Sequence, residues 1–151
     1  MLKKKISFSL IASLPRTTKL FLILINDIIL CFFALWLSFS LRLERLIIFN
    51  SDLVILGIAL SLLLVFFLFL SGSYKSLFKY SGLELIKNIF YSFTFYGLLV
   101  FFTLTIIVIN GIPRSIGVLH PTILFLLICF SRLQINYLLN LKKKKKFNRK
   151  V

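Results

Sequence analysis

The residues of this sequence that could take part in chemistry are few and scattered along the chain. Its four acids are Asp27, Glu44, Asp52 and Glu84, and its single histidine is His120. The 151 residues contain no glycine-rich phosphate loop, no HExxH pattern, no Cys/His metal cluster and no Ser/His/Asp set. We therefore expect no catalytic residue, cofactor site or metal site, and no enzyme activity of this chain alone.

Asp27 is the acid that most needs a partner. It lies about seven residues inside the first apolar segment, where an ionised carboxylate is costly unless it is paired or functional. Arg132 lies at a similar depth in the fourth apolar segment. Because these two segments would run in opposite directions as helices, we predict an Asp27–Arg132 ion pair that locks the bundle. The alternative is that each side chain extends separately to the membrane interface.

The remaining reactive side chains have simpler expected roles. Cys31 and Cys129 lie one turn deeper on the same two segments, and we expect them to be neighbours that behave as small apolar side chains. His120 lies near the outer end of the fourth segment. We expect it to reach the interface or cap the helix, and not to act in catalysis.

The composition indicates that the surroundings of this chain are a membrane. Apolar residues make up 60% of the sequence, against roughly 45–50% in soluble domains, and mean hydropathy is +1.02. The net charge of +15 comes from lysines and arginines that lie mostly outside the apolar segments. This distribution is typical of an integral membrane protein and argues against nucleic-acid binding.

The apolar segments are long enough to cross a bilayer as helices. About 20 apolar residues are needed to span the hydrocarbon core. The sequence therefore predicts an all-α membrane protein with four transmembrane helices, a basic cytoplasmic segment at 1–19 and a basic cytoplasmic tail at 142–151. The helices form a transmembrane domain at 20–141 and are predicted at 20–41, 53–70, 82–109 and 116–139.

Two groups of residues mark helix ends. Ser81 and Glu84 have the spacing of a capping box, in which the serine hydroxyl and the carboxylate satisfy backbone amides at the start of a helix. Pro113, Arg114 and Ser115 follow the predicted end of the third helix. We expect these three residues to close the outer turn before the fourth helix.

The basic residues predict the orientation of the helices. Sixteen of the 19 lysines and arginines lie in the two terminal parts and in the loop between the second and third helices. Arg42, Arg45 and Arg114 lie on the other side. By the positive-inside rule, both termini are cytoplasmic in a bacterial inner membrane.

Two lysine-bearing segments are expected to contact anionic lipid headgroups. The middle loop, which begins at Tyr74, alternates aromatic residues with Lys75 and Lys79, and this pattern suits the headgroup region. The second segment is the run of five lysines from Lys142, Lys143 and Lys144 to Lys145 and Lys146. The expected partner of both is the bilayer, and we expect no nucleic acid.

Several short motifs occur in a distinctive order. Leu14–Lys19 (LPRTTK) precedes the apolar helix that carries Asp27, and Tyr74–Ser81 (YKSLFKYS) forms an aromatic and basic loop. Ile112–Ser115 (IPRS) is followed by an apolar helix and then by Ser131–Leu133 (SRL). In order and spacing these motifs resemble the N-terminal membrane region of the CapD-like polysaccharide biosynthesis proteins, the membrane-bound nucleotide-sugar 4,6-dehydratases and epimerases. The resemblance covers residues 14–141.

The resemblance implies a role without catalysis. In that family the fourth helix leads to a cytoplasmic domain that binds NAD and acts on UDP-sugars, and none of that domain's functional residues has a counterpart here. The chain would be a membrane anchor or scaffold in polysaccharide biosynthesis, partnered by a separate dehydratase domain or by a second copy of itself. One departure is His120-Pro121, where the family more often has an acid and an aromatic residue.

Two other interpretations stay open from the sequence. The chain could be a small four-helix transporter or flippase of lipid-linked sugars or cations, with Asp27 as its membrane-embedded acid. It could also be the remnant of a truncated gene.

Overall fold

The structure, a computed structural model, describes residues 16–74, 83–106 and 112–147, with side chains for 17–74, 86–105 and 112–136. Four α-helices occupy these residues, and no strand occurs among them. They are α1 (Arg16–Leu43), α2 (Ser51–Leu70), α3 (Leu83–Phe101) and α4 (Ile116–Phe147), and α3 continues as a π-helical turn over Phe102–Ile106. Each helix is long and apolar enough to cross a membrane. The predicted fold class, all-α with four such helices, is confirmed.

The observed helices extend beyond the predicted bounds at four ends, and two of these differences exceed two residues. Helix α1 begins at Arg16 instead of residue 20, and α4 continues to Phe147 instead of ending at residue 139. The reason for the second difference is that lysine is a good helix former and no glycine or proline follows Pro121 before Phe147. The apolar pattern marks only the part of a helix that suits the membrane, so it underestimates a helix that extends into water.

The four helices form a closed bundle. Each contacts the next one in the chain, and α4 also contacts α1. Short connections favour antiparallel neighbours, so the start of α1 and the end of α4 lie at the same end of the bundle. Gly72, just after α2, has φ +67°, which is the left-handed conformation that commonly ends a helix.

The interior of the bundle is formed by stripes of buried residues that repeat every three or four positions, as expected for helices with one inward face. Two of these stripes contain polar or charged side chains at intervals of four. On α1 the stripe is Ile23, Asp27, Cys31, Leu35 and Phe39, and on α4 it is Ile116, His120, Leu124, Ile128 and Arg132. The outward faces carry exposed apolar side chains such as Phe21, Leu62 and Phe130, as suits a surface in contact with lipid.

Gly57 allows α1 and α2 to approach closely. A Cβ atom built on Gly57 would lie 2.5 Å from the ring of Phe32, whereas one on Gly97 would meet only Pro121, at 3.7 Å. The Phe32 ring also contacts Phe49, with 6.3 Å between centroids. A methyl group at residue 57 would therefore displace the Phe32 ring from its position between α2 and Phe49.

We expect Gly57→Ala to destabilise the bundle by about 1–3 kcal/mol, the usual cost of overpacking a tight contact. Gly97→Ala is the matched control, because it adds the same methyl group to a helix where there is room for it. The measurement is thermal unfolding of the detergent-solubilised variants, followed by circular dichroism. Equal effects of the two substitutions would contradict the close approach at Gly57.

Candidate functional site

The predicted ion pair is present in the structure. Arg132 Nη2 donates a hydrogen bond to Asp27 Oδ2 at 2.6 Å. The side chain of Asp27 is 0% exposed and that of Arg132 is 1% exposed, so the pair is inside the bundle and neither side chain extends to the surface. The four-residue stripes on α1 and α4 place these two residues on facing surfaces of antiparallel helices.

Tyr74 completes this group, which we call the ion-pair cluster. Its hydroxyl donates a hydrogen bond to the same Asp27 Oδ2 at 3.1 Å, and the guanidinium carbon of Arg132 lies 5.2 Å from the centre of its ring. Burial, and then the nearby charge of Asp27, raise the pKa of the Tyr74 hydroxyl well above its usual range. The hydroxyl therefore stays protonated and remains a donor to the carboxylate.

The carboxylate is held through one of its two oxygens. Both donors, from Arg132 and Tyr74, bind Oδ2, and within the described part of the chain Asp27 Oδ1 and Arg132 Nε and Nη1 have no hydrogen-bond partner. A bidentate arginine–carboxylate pair would use both oxygens. The observed pair leaves part of the hydrogen-bonding capacity of both groups unused.

Further polar contacts lie next to the ion-pair cluster. Asn26 Nδ2 donates to Ser131 Oγ at 3.0 Å, so that α1 and α4 are joined by two neighbouring contacts. Ser71 is the first residue after α2, and its Oγ accepts a hydrogen bond from Ser92 Oγ of α3 at 2.6 Å. Ser71 Oγ also lies 2.7 Å from Ser73 Oγ. All of these contacts lie at the end of the bundle where α1 begins and α4 leaves.

A second buried group, the histidine cluster, consists of Cys31, Tyr96 and His120. Cys31 Sγ lies 3.8 Å from His120 Nε2, and the Tyr96 hydroxyl lies 3.5 Å from His120 Nδ1. All three residues are fully buried. The prediction that His120 reaches the interface or caps a helix is wrong, because its position on the inward stripe of α4 directs the imidazole to Cys31 of α1 and Tyr96 of α3.

The two cysteines have different surroundings. Both are free thiols, but Cys31 is fully buried beside His120, whereas Cys129 is half-buried against the edge of the apolar core. The polar neighbour of Cys31 is thus the imidazole, which the sequence did not indicate.

The predicted outer turn is found at residues 113–115. Thr105 Oγ1, in the π-helical turn, donates to the backbone oxygen of Arg114 at 3.1 Å, and the Ile116 amide donates to the backbone oxygen of Pro113 at 3.0 Å. The Arg114 side chain is exposed and Ser115 is half-buried. The turn is thus fixed through backbone oxygens.

Other residues singled out in the sequence fall outside what the structure describes. Ser81, Lys75 and Lys79 lie in the undescribed range 75–82. Glu84 lies within α3, and Lys142, Lys143, Lys144, Lys145 and Lys146 lie within α4, in stretches where side chains are not described. Their predicted capping and lipid-contact roles remain predictions.

Tyr74 and Tyr96 are buried cluster residues that the sequence did not predict. The aromatic and basic pattern of its loop predicts Tyr74 in the headgroup region, but the residue is buried. The signal for Tyr96 was available, since it lies four residues after Ser92 and four before Val100 on one face of α3. A tyrosine on the inward face of an apolar helix needs a partner for its hydroxyl.

Comparison with protein-family models, with curated proteins and with solved structures finds no match to this chain. The four apolar helices and the buried polar groups define its class, a multi-pass, four-helix membrane protein with a charged pair in its interior. Among the described residues, no group of three or more His, Cys, Asp and Glu side chains is placed to hold a metal ion.

The ion pair can be tested with a double-mutant cycle. We expect Asp27→Leu and Arg132→Met each to destabilise the bundle by about 3–5 kcal/mol, because each leaves a charge buried without its partner. The double variant should regain most of the loss, since both charges are removed. The measurement is the free energy of unfolding in mixed micelles. Additive losses would show that the two side chains act separately.

The histidine cluster can be tested through the reactivity of the two thiols. In single-cysteine variants, Cys31 should react with N-ethylmaleimide more slowly than Cys129, because it is fully buried. His120→Ala should speed up the reaction of Cys31 by opening space beside the sulfur, and Thr122→Ala, on the exposed face of α4, should not. Equal rates at Cys31 in the two α4 variants would contradict the contact.

Proposed function

We propose that this chain is a non-catalytic membrane anchor and scaffold that holds a nucleotide-sugar dehydratase domain at the cytoplasmic face of a bacterial inner membrane. The observation that carries the proposal is the ion-pair cluster. Asp27, Tyr74 and Arg132 bind one another inside the bundle and are almost completely buried. Charged groups that bind one another inside a bundle hold its helices together, and an anchor requires such a stable bundle.

The direction in which the chain leaves the bundle supports the same role. Arg16 at the start of α1 and Phe147 at the end of α4 both belong to the end that contains the ion-pair cluster. The described chain therefore begins and ends on one side of the bundle, and under the positive-inside rule that side is cytoplasmic. Nucleotide sugars and NAD are available on this side.

Helix α4 provides a structural link between membrane and cytoplasm. Its candidate span is Ile116–Asn136, and the helix continues for eleven further residues to Phe147, a distance of roughly 16 Å at the rise of an α-helix. This extension contains Lys142–Lys146, so it carries five positive charges in a row. A basic helix of this kind can contact anionic headgroups and still position a protein domain next to the membrane.

The motif resemblance identifies the partner that we propose. The order of Leu14–Lys19, Tyr74–Ser81 and Ile112–Ser115 resembles the membrane region of the CapD-like dehydratases. An anchor that resembles this membrane region would suit a dehydratase domain of the same type. The domain would belong to a separate chain, and it would bind either one copy of the anchor or a pair of copies.

Transport is a second candidate, and the feature that favours it is the acid inside a candidate span. Asp27 lies within Thr17–Leu43, and one of its oxygens has no partner in the described part of the chain. Membrane-embedded acids are common in transporters. Against this candidate, the other oxygen binds two donors at once, which is typical of a structural carboxylate.

Co-purification tests the scaffold. The tagged chain, solubilised in mild detergent from its native membrane, should bring with it an NAD-dependent dehydratase that acts on UDP-sugars, detected by mass spectrometry and by activity. Replacing Lys142–Lys146 with glutamine should reduce the yield of the partner severalfold, and Lys87→Gln, in α3, is the control for loss of charge alone.

The two candidates give opposite results for Asp27→Asn. Under the scaffold proposal this variant lowers stability but still recovers the enzyme, because asparagine can accept the hydrogen bonds of Arg132 and Tyr74. The transporter proposal would replace the scaffold proposal if two results were found together. Proteoliposomes of the wild type would take up a lipid-linked sugar or a cation while those of Asp27→Asn would not, and the wild type would recover no dehydratase. Absence of both partner and uptake would also overturn the scaffold.

A further inference from the structure

A groove opens at the end of the bundle opposite the ion-pair cluster. It lies between the end of α1, residues 44–50 and the start of α2, and Ile112 closes it from the side of α4. Its volume is about 870 Å³, within the range of roughly 300–1,000 Å³ that is usual for a site that holds one small ligand. We call it the loop groove.

Most of the residues that line the loop groove are apolar. Phe39, Ile47, Leu53 and Leu56 are among the residues that line it. Leu46 and Ile48, which also line it, are 79% and 86% exposed. An acyl chain in the groove would cover this surface and replace its contact with water.

The shape of the groove is fixed by the protein. Trp36 Nε1 donates a hydrogen bond to the backbone oxygen of Ile47 at 3.0 Å, which ties the 44–50 segment to α1. The Phe32 and Phe49 rings pack against each other on the same segment. The aliphatic side chains are thus exposed on a segment that is tied down by specific contacts.

Two opposite charges line the same groove. Arg45 and Asp52 both belong to its lining, together with Asn50. Both charged side chains are exposed, and in the part of the chain that the structure describes they form no ion pair with each other or with another residue. Asp52 is the second residue of α2, and Arg45 lies two residues after α1, so both are at the level where the candidate spans meet the headgroup region.

We propose that the loop groove binds one zwitterionic phospholipid of the phosphoethanolamine type. One acyl chain lies along the apolar walls, the lipid phosphate pairs with Arg45, and the ammonium group pairs with Asp52. Each part of the ligand thus meets a group of matching chemistry at the right depth. This site is independent of the scaffold role, because it lies at the other end of the bundle from the ion-pair cluster.

The charges distinguish this lipid from the alternatives. An anionic lipid could pair with Arg45, but it has no cation for Asp52 and would be repelled by the carboxylate. A water-soluble ligand gains nothing from the exposed Leu46 and Ile48. A second copy of the chain would cover the groove without any preference among lipids, and it would appear as a dimer.

Native mass spectrometry of the full chain tests the proposal. The protein is released from nanodiscs that contain equal amounts of phosphatidylethanolamine and phosphatidylglycerol, and the retained lipid is identified by mass. We expect one phosphatidylethanolamine to be retained in preference to phosphatidylglycerol by about threefold, the size of effect typical of exposed ion pairs.

Three variants with a matched control locate the lipid. Asp52→Asn should abolish the preference for phosphatidylethanolamine, Arg45→Gln should reduce retention of both lipids, and Ala59→Phe should block the groove and remove the bound lipid. Arg42→Gln is the control, because Arg42 is exposed at the same end of α1 but is not part of the lining. All four positions are exposed, so the bundle should fold in each variant.

Several outcomes would overturn the proposal. Equal retention of the two lipids by the wild type would exclude selective binding of a zwitterion. An unchanged preference in Asp52→Asn, or lipid still bound to Ala59→Phe, would show that the retained lipid lies elsewhere on the bundle. If the wild type is a dimer without bound lipid, and Ala59→Phe is a monomer, the loop groove is an interface between two copies of the chain.

Discussion

The constraint on which the rest of this structure depends is the cost of placing two charges inside a bundle surrounded by lipid. An ion in an apolar medium loses several kcal/mol of hydration, and its partner restores that energy only at close range. Asp27 and Arg132 are therefore held at 2.6 Å. That distance fixes the separation of α1 and α4 and their relative translation, and the register of the two central stripes follows from it.

Polar contacts are also needed to specify which helix faces meet, because apolar side chains cover both the inside and the outside of the bundle. Lipid tails are as apolar as leucine, so burial of leucine does not by itself favour helix association in a membrane. The contacts that can distinguish the folded arrangement are close packing and interhelical hydrogen bonds. Gly57 provides the first between α1 and α2, and the buried polar clusters provide the second between the other pairs.

The sequence predicted those features that follow from the cost of a charge. Asp27 and Arg132 stand out because charges are rare in apolar segments, and antiparallel helices place them at a similar depth. The contacts of His120 follow from no comparable cost, because a histidine can be buried without a charge. The sequence signal for them is the helical spacing that places His120 and Tyr96 on the inward faces of α4 and α3. The extent of α4 was underestimated because hydropathy reports where a helix meets lipid, and the lysine run continues the helix in water.

The two clusters join different sets of helices, so that a small number of polar residues connects most of the bundle. The ion-pair cluster connects α1 and α4 with Tyr74, which lies four residues after the end of α2. The histidine cluster connects α1 and α4 with Tyr96 of α3, and Ser71 and Ser92 connect the end of α2 with α3. Helices α1, α3 and α4 are thus joined to one another by buried polar contacts, and the end of α2 is joined to α3 by the half-buried Ser71–Ser92 contact. Helix α2 takes part only beyond its last turn, since within it the buried Ser61 hydroxyl donates to the backbone oxygen of Ile58. Within the helix itself, packing holds α2 against its neighbours, and the absence of a side chain at Gly57 is part of that packing.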